Sequence, residues 1–140
     1  LLTYLGVPSI YAGDEIGLEG LWGENGRRTI PWDDKQKWNV ELLEGYRKLI
    51  NLRRSSHALS HGGLRWILIE DDVVAYLRES SEESILVAVS RGGATATIDL
   101  NRYGYLIEDT FYGTIMKGKR IKVHGREASA GIWKLRRFAK

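Results

Sequence analysis

Five side chains offer the chemistry this sequence can do: Asp14, Glu15, Arg27, Arg28 and Trp32. Asp14 and Glu15 are neighbours on a stretch expected to be extended, so their carboxylates point to opposite sides. Such a pair is poorly placed for acid–base work on one bond. It can accept hydrogen bonds from loops or from substrate hydroxyls, or it can cap a loop or join a surface ion pair. Arg27 and Arg28 can grip a carboxylate with two parallel hydrogen bonds, or stand solvated. The Trp32 indole can lie against an apolar ring face, or pin its own loop. All five are candidate substrate-binding residues, and no catalytic residue is expected among them.

The element expected to present the acids is Gly6-Val7-Pro8-Ser9-Ile10-Tyr11-Ala12-Gly13-Asp14-Glu15. Ser9 to Ala12 reads as a short apolar strand. Pro8 suits its first residue, and Gly13 permits a bend where the acids begin. A strand that stops at glycine and then presents acids resembles the active-site rim of an α/β barrel. Leu1 to Leu5 reads as the end of a helix closed by Gly6. The chain opens inside that element without an initiator Met, which suggests a fragment.

Residues 16 to 38 form a long loop, and loops of that length are usually functional or disordered. Leu18, Leu21, Trp22, Ile30 and Trp32 are its expected anchors. Asn39 is a good N-cap for a helix over about residues 39 to 55. Glu41 and Glu44 lie early in it and Arg47, Lys48, Arg53 and Arg54 late, which complements the helix dipole.

Beyond Gly62-Gly63 the period becomes alternating. Strands are expected at Leu64-Ile69, Val73-Glu79, Ile85-Ser90, Ala94-Leu100, Tyr105-Phe111, Lys119-His124 and Ala130-Leu135. Turn residues separate them, including Gly92-Gly93, Gly118 and Gly125. Short strands at this spacing predict an antiparallel β-sandwich. Ile85 to Val89 is apolar on both faces and should be central, while Tyr76-Leu77-Arg78 and Ile121-Lys122-Val123 alternate and should be half exposed. The domains expected are 1-62, a strand, loop and helix that cannot close a sheet alone, and 63-140, a sandwich with its own core.

Composition narrows the classes. The 140 residues are 43% hydrophobic and 28% charged, which suits a globular protein. Cysteine is absent, so neither a disulfide framework nor a thiolate metal site is available, and a cytoplasmic location is the expectation. No apolar run approaches a membrane span. Net charge is only +3. The basic C-terminal group Lys134, Arg136, Arg137 and Lys140 could bind nucleic acid but is more simply a solvated end. No nucleic-acid, membrane or cofactor partner is expected. His57 and His61 have a spacing that two metal ligands can use, but no third ligand is near in sequence, and His57 is better explained by a helix C-terminal dipole. His124 reads as a strand-surface residue. Trp22, Trp38, Trp66 and Trp133 could serve as sugar platforms, although large aromatics more often anchor cores.

Three pieces in order resemble one family. Gly6-x-Pro8-x-Ile10-Tyr11-x-Gly13-Asp14-Glu15 is similar to the segment at the last barrel strand of the α-amylase superfamily of glycoside hydrolases. Gly23-Glu24-Asn25-Gly26-Arg27-Arg28-Thr29-Ile30-Pro31-Trp32-Asp33 is similar to the loop after that strand, and Leu43 to Gly62 to the final barrel helix. The resemblance implies the last β/α unit of a (β/α)8 barrel followed by an all-β domain. It implies a retaining enzyme acting on α-glucosidic bonds of malto-oligosaccharides or related α-glucans. It also implies that Arg27, Arg28 and Trp32 line the substrate cleft. Retaining glycosidases need carboxyl groups about 5 Å apart across the scissile bond. In the family those acids come from earlier strands, whose motifs are absent here. The alternative is an independent β-sandwich that binds carbohydrate without catalysis. Detached from a barrel, residues 1 to 62 should expose Ile10, Tyr11, Leu49 and Ile50 and be disordered or self-associate through an open strand edge.

Overall fold

The structure, a computed structural model, describes residues 1–92, 95–124 and 127–138. Ala94, Gly93, Gly125 and Lys140, and the side chain of His124, lie outside the described residues. The architecture is mainly antiparallel β with little helix. Seven strands follow the helical part: β1 Gly63–Ile69, β2 Val73–Glu79, β3 Ser84–Ser90, β4 Thr95–Asp99, β5 Tyr105–Tyr112, β6 Arg120–His124 and β7 Ser129–Arg137. Each overlaps an expected strand, because alternation and turn residues mark both faces and ends.

The strands form a five-stranded sheet in the order β1-β2-β3-β7-β5 and a two-stranded sheet of β4 and β6. The two sheets enclose a core in which Leu77, Leu86, Trp133 and Leu135 meet Ile98 and Ile121. Trp133 is 3% exposed and its Nε1 donates to the Thr114 carbonyl, so it is a core anchor.

The other face of the large sheet is covered by helices, which makes a third layer. Helix α1 runs Val40–Ser55 and the short α2 runs His57–His61. Asn39 caps α1 by accepting from the Leu42 amide, as expected. Ser56 caps α2 by accepting from the Leu59 amide at 3.0 Å. Glu83, in the β2–β3 turn, accepts from the Ser56 hydroxyl at 2.6 Å and the Ala58 amide at 2.9 Å. A carboxylate at a helix N-terminus is favoured by its free amides, so the hairpin seats α2 on the sheet. Ala58 and Leu59 then pack on Tyr76, Ile85, Val87 and Ile132, with Leu49 and Leu52 of α1 alongside.

This third layer corrects several expectations. β2 is not half exposed: Tyr76, Leu77 and Arg78 are all buried. β3 is central and two-faced, as its composition requires. Leu49 and Ile50 are half-buried rather than bare. His57 does not close a helix; it opens α2, 3.7 Å from Glu82 and stacked on His61.

The expected strand at Ser9–Ala12 does not form. Ser9 to Tyr11 are irregular, Ala12 and Gly13 form a turn, and Asp14–Ile16 is a 3-10 helix. A strand needs a neighbour to take its backbone hydrogen bonds, and among the described residues none pairs with these. Leu1 to Leu5 makes one turn, closed by the Tyr4 amide donating to the Leu1 carbonyl, rather than a helix end.

The two faces of β3 predict unequal costs along one strand. Leu86→Ala removes a side chain with no exposed surface and should destabilise by about 2–5 kcal/mol. Val89, 40% exposed, should cost under about 1 kcal/mol when truncated. Urea unfolding of both variants checks the ranking, and equal losses would contradict it.

Candidate functional site

The expected site residues occupy two neighbouring turns rather than a strand end. Gly13 takes φ 102, a left-handed value, and begins the turn that carries the acids. A Cβ there would lie 2.9 Å from the Leu18 side chain, so glycine lets the chain fold back on itself. Glu15 accepts a hydrogen bond from the Gly13 amide at 2.9 Å, while Asp14 is exposed. Ile16, 3% exposed, anchors the turn, and its carbonyl accepts from the Asn39 amide at the start of α1. The acids are thus held against the helix that follows.

The arginine loop has its own organiser, Asn25, which sequence reasoning did not single out. Its Oδ1 accepts from the Leu21 amide at 2.9 Å and from the Arg28 guanidinium. Residues Asn25–Arg27 form a 3-10 turn. Gly20 lies against it so closely that a Cβ would meet the Gly26 backbone at 2.6 Å. Glu19, Gly20, Leu21 and Arg28 line a shallow hollow on this loop. An asparagine between Gly23 and Gly26, residue types that favour turns, is the local signal that could have found it.

Trp32 is 62% exposed and stands edge-on to Trp38, with ring centroids 5.7 Å apart. Trp38 is the pinned member: its Nε1 donates to the Pro31 carbonyl. Leu21 and Trp22, expected as anchors, are instead 87% and 63% exposed. The structure joins Arg28 to Asn25 and Trp32 to Trp38. It forms no hydrogen bond or ion pair between Asp14 or Glu15 and Arg27 or Arg28 among the described residues. What the segment offers is a surface of exposed polar and aromatic groups, suited to binding hydroxyl-rich ligands and without a paired acid and base.

A second polar hollow lies on the β layer, bordered by Ser80 to Ser84, Tyr105, Glu108 and Lys134 to Arg137. Several of its groups are already engaged. Tyr105 donates to Glu79 at 2.7 Å and accepts from Ser84 and Arg137. Arg65 grips both Glu79 oxygens, at 2.9 and 2.8 Å. Burial works against the Glu79 charge, but the Arg65 and Tyr105 hydrogen bonds outweigh it and hold the carboxyl below the usual carboxylate range. The basic tail residue Lys134 pairs with Glu108 at 3.0 Å. This is a structural network. His57, stacked on His61, gains Glu82 as a neighbour, yet no group of three such ligands able to hold a metal occurs among the described residues.

No protein-family model matches the chain. Individual relatives do. It is 33% identical over 99 residues to a cyclomaltodextrinase of Thermoanaerobacter pseudethanolicus, covering 71% of this chain and 17% of that protein. It is 37% identical over 95 residues to a maltogenic alpha-amylase of Bacillus acidopullulyticus, covering 65% and 16%. Alpha-amylase 2 of Dictyoglomus thermophilum matches over 129 residues at 35%, covering 84% and 22%. Among solved structures, a debranching enzyme from Nostoc punctiforme superposes on 96% of this chain and 29% of its own, with TM-score 0.76 and 27% identity. The curated relatives are α-glucan hydrolases, and the superposition on the Nostoc enzyme takes in nearly the whole of this chain. The chain belongs to the α-amylase family of glycoside hydrolases. It spans between 16% and 22% of the length of the curated relatives named here.

Two outcomes test the geometry. Asn25→Ala should raise amide hydrogen exchange across residues 20 to 28 by about fivefold, in keeping with loss of hydrogen bonding worth about 1 kcal/mol, and leave β3 unchanged; unaltered loop exchange would contradict it. Glu79 binds its proton less readily folded than unfolded. Its contribution is therefore complete above the unfolded carboxylate pKa and disappears as pH falls through the depressed folded value. Arg65→Met should flatten the fall in urea midpoint between about pH 5 and pH 2, and an unchanged profile would contradict the network.

Proposed function

We propose that this chain is the C-terminal portion of a retaining α-glycosidase that acts on α-glucosidic bonds of malto-oligosaccharides or related α-glucans. Residues 1-62 are the closing part of its (β/α)8 barrel, and residues 63-140 are its trailing β domain. The observation that carries the reading is the match to Dictyoglomus alpha-amylase 2, which covers 84% of this chain and so takes in both parts.

In this reading the chain supplies one wall of the cleft. Arg28, oriented by Asn25, and Arg27 donate to sugar hydroxyls or to a carboxylate brought by the barrel. Trp32 presents an open ring face to a pyranose. Asp14 and Glu15 accept from hydroxyl groups or from neighbouring loops. The nucleophile and the proton donor come from other barrel strands, and the double displacement runs through a glycosyl-enzyme there. The proposal makes Asp14, Glu15, Arg27, Arg28 and Trp32 binding residues with no part in bond cleavage.

Maltotriose added to the isotopically labelled chain should shift amide signals within residues 14 to 32 and spare β3 and β7. Shifts confined to the β layer, or none, would overturn the cleft-wall assignment. The 140-residue chain should also leave a chromogenic α-glucoside intact; turnover by the pure protein would overturn the assignment of the acids elsewhere.

A further inference from the structure

Two arginines from separate elements converge on one stretch of backbone. Arg53, near the end of α1, donates through Nη1 to the Leu2 and Tyr4 carbonyls, each at 2.9 Å, and through Nη2 to the Gly6 carbonyl at 2.6 Å. Arg78, in β2, donates through Nη1 to the Thr3 and Tyr4 carbonyls at 2.8 and 3.1 Å. Its Nη2 and Nε reach the Gly62 and Gly63 carbonyls. The Tyr4 carbonyl therefore accepts from both guanidinium groups.

Neither arginine makes an ion pair among the described residues. Arg78 is 1% exposed. A buried cation is tolerated only when its donors are satisfied, and here backbone carbonyls do that alone. Burial, with the nearby Arg53 charge second, lowers the Arg78 pKa. Aromatic contacts complete the docking. Tyr4 lies 5.9 Å from Tyr76 and 6.1 Å from Trp66, and Thr3 shares a 2.7 Å hydrogen bond with the Tyr76 hydroxyl.

We propose that Arg53 and Arg78 are positioning residues, a two-arginine clasp that fixes residues 2 to 6 to the β1–β2 hairpin and so sets where the candidate sugar-binding segment 14 to 32 stands. The segment follows the clasp within eight residues and is tied again to α1 through the Ile16–Asn39 hydrogen bond. Its position is bracketed by Arg53 and the start of the same helix. Lysine cannot replace either arginine fully, because one ammonium cannot span carbonyls that the planar fork bridges at once.

The role in sugar binding rests on the function proposed above; the clasp itself does not. Arg53→Gln is the clean variant, since the hydrogen bonds of Arg53 all go to carbonyls of residues 2 to 6. In the full 140-residue chain it should speed chymotrypsin cleavage after Tyr4 by at least tenfold and abolish the Tyr4–Trp66 ring contact in nuclear Overhauser spectra. Its urea midpoint, read on β3, should fall, because Arg78 loses the Thr3 and Tyr4 carbonyls, but by less than in Arg78→Met, since the Gly62 and Gly63 carbonyls still hold Arg78 in Arg53→Gln. Arg53→Lys should recover part of the protection. Cleavage within twofold of the parent, with the ring contact intact, would overturn the clasp. Maltotriose-induced shifts in residues 14 to 32 should weaken at least threefold in Arg53→Gln. Undiminished shifts would overturn the positioning role. If the parent chain shows no shifts, the function proposed above falls while the cleavage result still decides the clasp.

Discussion

The structure depends on a buried cation that has no counter-ion among the described residues. Arg78 sits in β2 with both sheet faces covered, and its guanidinium ends on carbonyls from residues 3, 4, 62 and 63. Leaving such a buried charge without hydrogen-bond partners costs several kcal/mol. The β layer is therefore committed to the segment that precedes it. A sandwich that could stand alone would put a short apolar or a solvated side chain at this position. Here the sheet carries a charge that only the first residues and the α2 exit can satisfy.

That constraint explains the three-layer arrangement. The β4–β6 sheet seals one face of the large sheet with aliphatic side chains. The other face is sealed by α2, whose N-terminus is held by Glu83, and by α1, whose Arg53 reaches the same backbone as Arg78. The arginine loop and the acids hang from this frame at two points, the clasp upstream and Asn39 downstream. A binding surface on loops gains precision when rigid elements fix both its ends.

The β layers were legible because each strand carries its own signal: alternation, a central run from Ile85 to Val89 and turn residues between. The helix was legible from Asn39 and its charge order. What sequence could not give was anything that depends on a partner. Ser9–Ala12 has the composition of a strand, yet a strand exists only where another supplies its hydrogen bonds. Tyr76 and Arg78 read as an outward polar face because nothing local announces that helices cover it. Ser56 lies just past the expected helix, and its role as the cap of α2 emerges only with Glu83 of a distant turn. In the candidate site, Arg28 and Trp32 were visible as residue types. Their organisers, Asn25 and Trp38, act through backbone carbonyls and amides that residue types do not reveal.

Native-state hydrogen exchange as a function of denaturant tests the central claim, that helix and β layers form one cooperative unit joined by buried arginine. The slowest amides of α1, around Leu49 to Arg53, and those of β3, around Leu86 and Val87, should converge on a single opening free energy. An α1 that opens well below β3, leaving the sheet intact, would contradict it.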